Sequence, residues 1–216
     1  MKKLLAVLLT FGVFFLSADD EDFSYTYLDL SAVQAEDTGY DATLSIGLPF
    51  SLYLRGTLED IDAEIENSTF QKSSSIISLG THVSIADILK NVTKNGFKFN
   101  FARFMDFYAE LGADKWELEN LEGVTEEGTD AYIQGGIRFG DSDGWELSIY
   151  LENRSLAEVE ISEENGKADY TFSDDINNTL GIKFINNFSE NMSMNLHFDN
   201  DDIIGSTASL GIRFRL

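Results

Sequence analysis

The sequence contains no cysteine, one proline and two histidines, and each shortage closes off a set of readings. Without cysteine, no disulfide framework is possible, and no residue is available to carry a lipoprotein's acyl chains. Only His82 and His197 are present, and no metal-ligand spacing, phosphate-binding glycine loop or nucleophile elbow occurs. No apolar run reaches the roughly 20 residues that a membrane-spanning helix needs. Cations are scarce too: 15 Lys and Arg stand against 38 Asp and Glu, a net charge of −23. Nucleic acid is therefore not an expected partner, because phosphate binding needs clustered cations.

The one apolar run, Leu4 to Leu16, follows Met1-Lys2-Lys3 and ends at Leu16-Ser17-Ala18, before four acidic residues. A cationic start, a short apolar stretch and small residues at the cleavage point predict a signal peptide over residues 1–18. Residues 19–216 are then one domain. A hydrophobic content of 43%, 12% aromatic residues and 17 glycines suit long strands joined by glycine and polar turns.

Alternation carries the fold reading. Ala208, Leu210, Ile212, Phe214 and Leu216 share one face of the C-terminal stretch, and Ser209, Gly211, Arg213 and Arg215 the other. The same period runs through 145–161, 179–184, 132–139, 105–111, 41–48 and 52–59. Less regular stretches near 23–33, 74–85 and 191–199 complete a count of ten, with eight as the alternative. The predicted class is all-β: a transmembrane antiparallel up-and-down β-barrel with apolar residues facing lipid and polar residues facing the lumen. Short periplasmic turns are expected near 49–51, 141–144 and 187–191. Longer acidic external loops are expected near 34–39, 62–73, 120–128, 162–175 and 200–206. Ile85, Ile88, Leu89 and Val92 at helical spacing behind Ser84 predict a short periplasmic helix near residues 84–95. Phe97, Phe99 and Phe101 read as the start of the next strand, with Arg103 facing outward.

The form Gly-Ile-Arg-Phe or Gly-Ile-Lys-Phe at the end of an amphipathic strand occurs at Gly136–Phe139, Gly181–Phe184 and Gly211–Phe214. Over roughly residues 104–216 the chain resembles small outer-membrane barrels of the OmpA-like and opacity-like group. It departs from their terminal pattern by ending in Leu216, with Phe214 two positions earlier. The resemblance implies a barrel in contact with outer-membrane lipid and lipopolysaccharide, and with barrel assembly machinery through its C-terminal strand. It implies no activity and no cofactor.

Inside a narrow barrel, charges of opposite sign must pair, since an unpaired one is costly in a poorly hydrated interior. Counting across the connections sets Arg138 opposite roughly positions 109 and 145. Glu110 and Glu146 are thus expected to bracket Arg138, with Asp106 close by. Arg55, Lys183 and Arg213 are expected as further cations in the periplasmic half. His82 and His197 have inward parity. His197 with Asp199, or with Ser209 as its approximate cross-strand partner, would be the starting point of a hydrolase, but a satisfied lumen histidine is the simpler reading. The acidic stretches Glu59–Glu66, Glu117–Asp130 and Asn200–Asp202 are candidates for divalent cations, although none has a calcium-loop spacing. The expected function is a non-enzymatic barrel with a structural or envelope-integrity role and a largely plugged lumen. A small-solute porin and a loop-mediated adhesin are the alternatives.

Overall fold

The computed structural model describes residues 23–34, 38–65, 68–85, 105–120, 123, 125–141, 143–164, 167–201 and 205–216. Period-2 patterning, strict in most of them, makes ten strands: β1 (Tyr27–Gln34), β2 (Thr38–Leu48), β3 (Leu52–Ile65), β4 (Ser68–Ser84), β5 (Met105–Asn120), β6 (Thr125–Gly140), β7 (Trp145–Glu164), β8 (Lys167–Asn187), β9 (Met192–Asp201) and β10 (Gly205–Arg215). Each pairs antiparallel with its sequence neighbours, and β1 pairs with β10, from Tyr27 opposite Arg215 to Gln34 opposite Ala208. The sheet therefore closes on itself, and every strand has a partner on both sides. Both described termini lie at one end of this barrel, here the terminal end.

Several expectations about connections need correction. The stretches 62–73, 120–128 and 162–175, expected as long loops, are mostly paired strand, with Ile65 opposite Ser68, Glu119 opposite Thr125 and Glu164 opposite Lys167. Their polar composition suggested loop. The alternation nevertheless continues through them, and cross-strand polar contacts such as Lys115 Nζ to Glu127 Oε2 at 3.3 Å take the place of apolar ones. These extensions form arms at the end opposite the termini, the arm end. The helix expected near 84–95 and the Phe97–Arg103 stretch lie almost wholly outside the described residues, and Ser84 is the last residue of β4.

The two faces of the ladder differ sharply. Outward-facing Ile77, Leu111, Leu151 and Leu210 are each more than half exposed. Inward-facing Asp29, Asp114 and Glu146 are fully buried. On β10 the apolar band runs from Ala208 to Leu216. At about 3.3 Å per residue and a tilt near 40°, it rises roughly 20 Å, close to the ~25 Å lipid-facing band of such barrels. Exposed aromatics mark its terminal-end border: Trp145, Phe188, and Phe50 on a turn whose backbone is left-handed at Phe50 and Ser51 (φ 67° and 57°). On the arm side, the next outward pair after Leu151 and Leu180 is Asn153, which donates to Asn178 at 3.0 Å.

Glycine has a specific task inside. Tyr53, Tyr108 and Tyr150 lie flat against the wall over their cross-strand partners Gly80, Gly136 and Gly181. A Cβ at these glycines would stand 2.2, 2.7 and 2.0 Å from the respective tyrosine Cζ, so only glycine leaves room for the ring.

The outward assignment predicts that Ile149→Arg, mid-band on β7, destabilises the barrel by about 2–4 kcal/mol in urea titrations of lipid-reconstituted protein. Glu119→Arg, on the outer face of the β5 arm, is expected to cost little. Equal tolerance at both sites would invert the assigned faces.

Candidate functional site

The segment before β1 turns into the lumen at the terminal end. Phe23 and Tyr25 turn inward and are buried. The Tyr25 ring stacks on Tyr53 (centroids 4.7 Å apart) and on His82 (4.0 Å), and its hydroxyl donates to Asp106 Oδ2 at 3.3 Å. Backbone anchors hold the segment: Ser45 Oγ donates to the Tyr25 carbonyl at 2.7 Å, and Leu216 N to the Thr26 carbonyl at 3.2 Å. Arg138 caps it from within, its guanidinium 4.6 Å from the Phe23 ring and 5.2 Å from the Tyr25 ring.

Around this plug sits an ion network. Arg138 Nε donates to Glu146 Oε2 at 2.9 Å, with a second contact from Nη2. Arg215 reaches Glu146 Oε1 at 3.3 Å, and Asn187 Nδ2 donates to the same oxygen at 3.1 Å. Arg213 grips Asp29 with two hydrogen bonds of 2.7 and 2.8 Å, and Lys183 adds a third of 2.7 Å. Arg55 meets Glu110 Oε2 at 2.9 Å, and the Tyr53 and Ser78 hydroxyls each donate to Glu110 at 2.8 Å.

The arrangement differs from the sequence count in one respect. The register sets Arg138 opposite Asp106 and Ser148, not positions 109 and 145, so Glu110 belongs to Arg55 and does not bracket Arg138. Hairpin register is set by where the turn is centred, and turns between Asn120 and Thr125 and between Gly140 and Trp145, each centred one to two residues from the assumed position, move both pairings by about three residues. Sequence reasoning also missed Asp29, which gathers Lys183 and Arg213. Its strand is short, and its distance in sequence from both cations hides the contact that barrel closure makes.

A second cluster fills the arm half. Arg154 lies 3.3 Å from Glu152, 3.6 Å from Asp114 and 3.9 Å from Glu59, although its Nε and Nη1 make no hydrogen bond. Lys72 Nζ donates to Glu59 at 2.6 Å and is fully buried. Phe70, Trp116 and Leu118 also point inward and are buried, with Trp116 Nε1 donating to Asp130 Oδ2 at 2.6 Å. Inward apolar residues break the polar-inside rule, so alternation alone placed no core there. His197 meets the Tyr150 hydroxyl and lies 3.3 Å from Asp199, while Tyr150 donates to Asp199 at 2.5 Å. Ser209 is the direct cross-strand partner of His197, but its Oγ makes no hydrogen bond.

A soluble β-sandwich buries its apolar faces and wets its polar ones. This closed ladder does the reverse, enclosing its charges and presenting an apolar belt. It is a small transmembrane β-barrel of the outer-membrane type. No family model matches the chain, and no curated protein sequence matches it. Among solved structures it is similar to the KdgM porin, with a TM-score of 0.43 and 8% identity over 88% of this chain and 99% of that one. The NanC porin gives 0.45 and 8% over 88% and 100%. The attachment invasion locus protein Ail of Yersinia pestis gives 0.31 and 12% over 88% and 99%. At such identities and scores the likeness carries no argument, and the assignment stands on the barrel's own ladder and faces.

Among the described residues the acidic stretches do not converge on one point. Glu59 points inward to Lys72, whereas Asp60 points outward and accepts from Tyr40 (3.1 Å) and Gln71 (2.9 Å). Among the described residues, no group of three His, Asp or Glu side chains is placed to hold a metal ion.

Arg138→Met takes the nearest cation from Glu146, leaving it to Arg215, Asn187 and the more distant Arg213, and is expected to cost up to about 3–5 kcal/mol in urea unfolding, the range for one partner removed from a buried pair. Adding Glu146→Gln should recover much of that loss. Adding Glu110→Gln should not, because Arg55 holds Glu110. Equal rescue by either change would refute the pairing.

Proposed function

We propose that this chain is a non-enzymatic outer-membrane barrel with a structural, envelope-integrity role and a lumen that does not conduct. The supporting observation is the plug. The Tyr53–Tyr25–His82 stack, capped by Arg138 and flanked by the Asp29 and Glu146 ion clusters, crosses the terminal end of a barrel that is already narrow. Ten strands leave little free lumen once side chains fill it. In this reading, residues 1–18 export the chain and are removed, and the terminal end faces the periplasm. The arms stand outside, and outer-membrane lipid and lipopolysaccharide surround the apolar belt. The assembly machinery engages β10, the strand whose pairing with β1 closes the barrel.

The hydroxyls and imidazoles inside serve the wall. Tyr150, His197 and Asp199 satisfy one another, and the Ser209 Oγ opposite His197 makes no hydrogen bond. A hydrolase would need that nucleophile and base engaged.

Planar-bilayer recordings of the purified barrel test the proposal. The expected trace in molar potassium chloride has no stable porin-like steps. Reproducible open-channel steps from the wild type would replace the plugged lumen with a solvated pore and favour the porin alternative.

A further inference from the structure

Above the plug lies a cavity of about 150 Å³, room for on the order of ten waters. Its wall runs from Tyr25 and Arg138 at the plug to Asp201 and Thr207 at the arm ends of β9 and β10. It therefore spans the lumen from the plug to the arm ends of β9 and β10.

Each cation in this wall has a carboxylate partner, Arg55 in Glu110, Arg138 in Glu146, Arg154 in Glu59 and Glu152, and Lys183 and Arg213 in Asp29, although Arg55 Nε and Arg154 Nε and Nη1 make no hydrogen bond. Asp41 stands in the same wall. Among the described residues it makes no ion pair, and its Oδ1 is buried without a hydrogen-bond partner. Ser209, only 6% exposed, also lines the cavity, and its Oγ is likewise unpartnered. Register places both orphans beside β1, with Asp41 opposite Ser31 on one side and Ser209 opposite Val33 on the other. Two unanswered polar groups thus flank one strand and face one space.

Buried polar groups without partners are costly, a carboxylate most of all. A metal ion would need several converging oxygens, and no three acids gather among the described residues. An ammonium group needs only one carboxylate and brings three donors. The surrounding wall offers threonine hydroxyls and the rings of Tyr27 and Tyr150, a lining suited to hydroxyl groups and their carbon skeleton. The chain's net charge of −23 also raises the local concentration of cations at its surface.

We propose that this cavity binds a small hydroxylated solute carrying one ammonium group, with the ammonium on Asp41 and a hydroxyl on Ser209. The inference goes beyond the plugged-barrel reading, which concerns passage through the terminal end and not what the cavity holds.

The test uses the full chain refolded into lipid nanodiscs, with folding checked by heat-dependent gel migration. Glucosamine, glucose and glucuronate serve as probes of matched shape and different charge, titrated by calorimetry. Glucosamine should bind saturably, at least tenfold more tightly than glucose, and glucuronate should not bind. Asp41→Asn should remove the preference for glucosamine over glucose, while Ser209→Ala should weaken both several-fold. Should Asp41→Asn fail to fold, the wild-type comparison of glucosamine with glucose still decides. Equal binding of those two sugars, an unchanged preference in Asp41→Asn, or no saturable binding at all would leave the cavity holding water only and overturn the proposal. None of those failures bears on conductance, so the two readings fall separately.

Discussion

Pairing of β1 with β10 is the constraint on which the rest of the molecule depends. In hydrocarbon, every backbone N–H and C=O must find a partner within the protein, and a strand edge left open costs several kcal/mol per unsatisfied group. Eight residue pairs from Tyr27–Arg215 to Gln34–Ala208 remove that edge. Closure also determines which side chains meet inside. Once the sheet is a tube, parity sends every second residue into a space about two side chains across, where tilt and register, not sequence proximity, decide the neighbours. Asp29 on the first strand reaches Lys183 on the eighth and Arg213 on the tenth for this reason.

The interior then solves a packing problem with few residue types. The repeated Gly-Ile-Arg-Phe and Gly-Ile-Lys-Phe pattern of β6, β8 and β10 turns its isoleucine and phenylalanine to lipid and its glycine and cation to the lumen. Gly136 and Gly181 make room for the Tyr108 and Tyr150 rings. Arg138, Lys183 and Arg213, two residues nearer the terminal end, supply three cations of the network around the plug. One short pattern therefore serves the membrane face, the aromatic wall and the ion network together. The Phe23–Thr26 segment adds inward aromatic surface at the terminal end, where Tyr25 stacks on Tyr53 and His82.

Much of this is legible in the sequence, and the failures have physical causes. The class, the strand count and the inward set Arg55, Asp106, Glu110, Arg138, Glu146, Lys183 and Arg213 come from period-2 alternation, which local sequence displays directly. The pairing of Glu110 with Arg55 does not, because it depends on where two long hairpins turn. The arms look like loops in sequence because serine, threonine and acidic residues resemble loop composition, while a paired strand in water tolerates them. Phe70, Trp116 and Leu118 are invisible as a cluster: each sits on the face that the membrane rule assigns to polar groups, and nothing local marks the height at which that rule ends. The Tyr25 stack is hidden as well: Phe23, Tyr25 and Tyr27 alternate with Ser24 and Thr26 but face inward, where the membrane rule puts polar groups.

Cross-linking of the closing strands tests the central claim most directly, and the absence of native cysteine makes it clean. Paired antiparallel residues have Cα atoms about 4.5–5.5 Å apart, within disulfide reach, whereas a four-residue offset adds roughly 13 Å. A Leu30→Cys, Ile212→Cys double variant should form an intramolecular disulfide on mild oxidation of the folded, heat-modifiable protein. A Leu30→Cys, Ala208→Cys variant should not. Failure of the first pair to cross-link in folded protein, or efficient cross-linking of the second, would contradict the closed ten-strand ladder and its register.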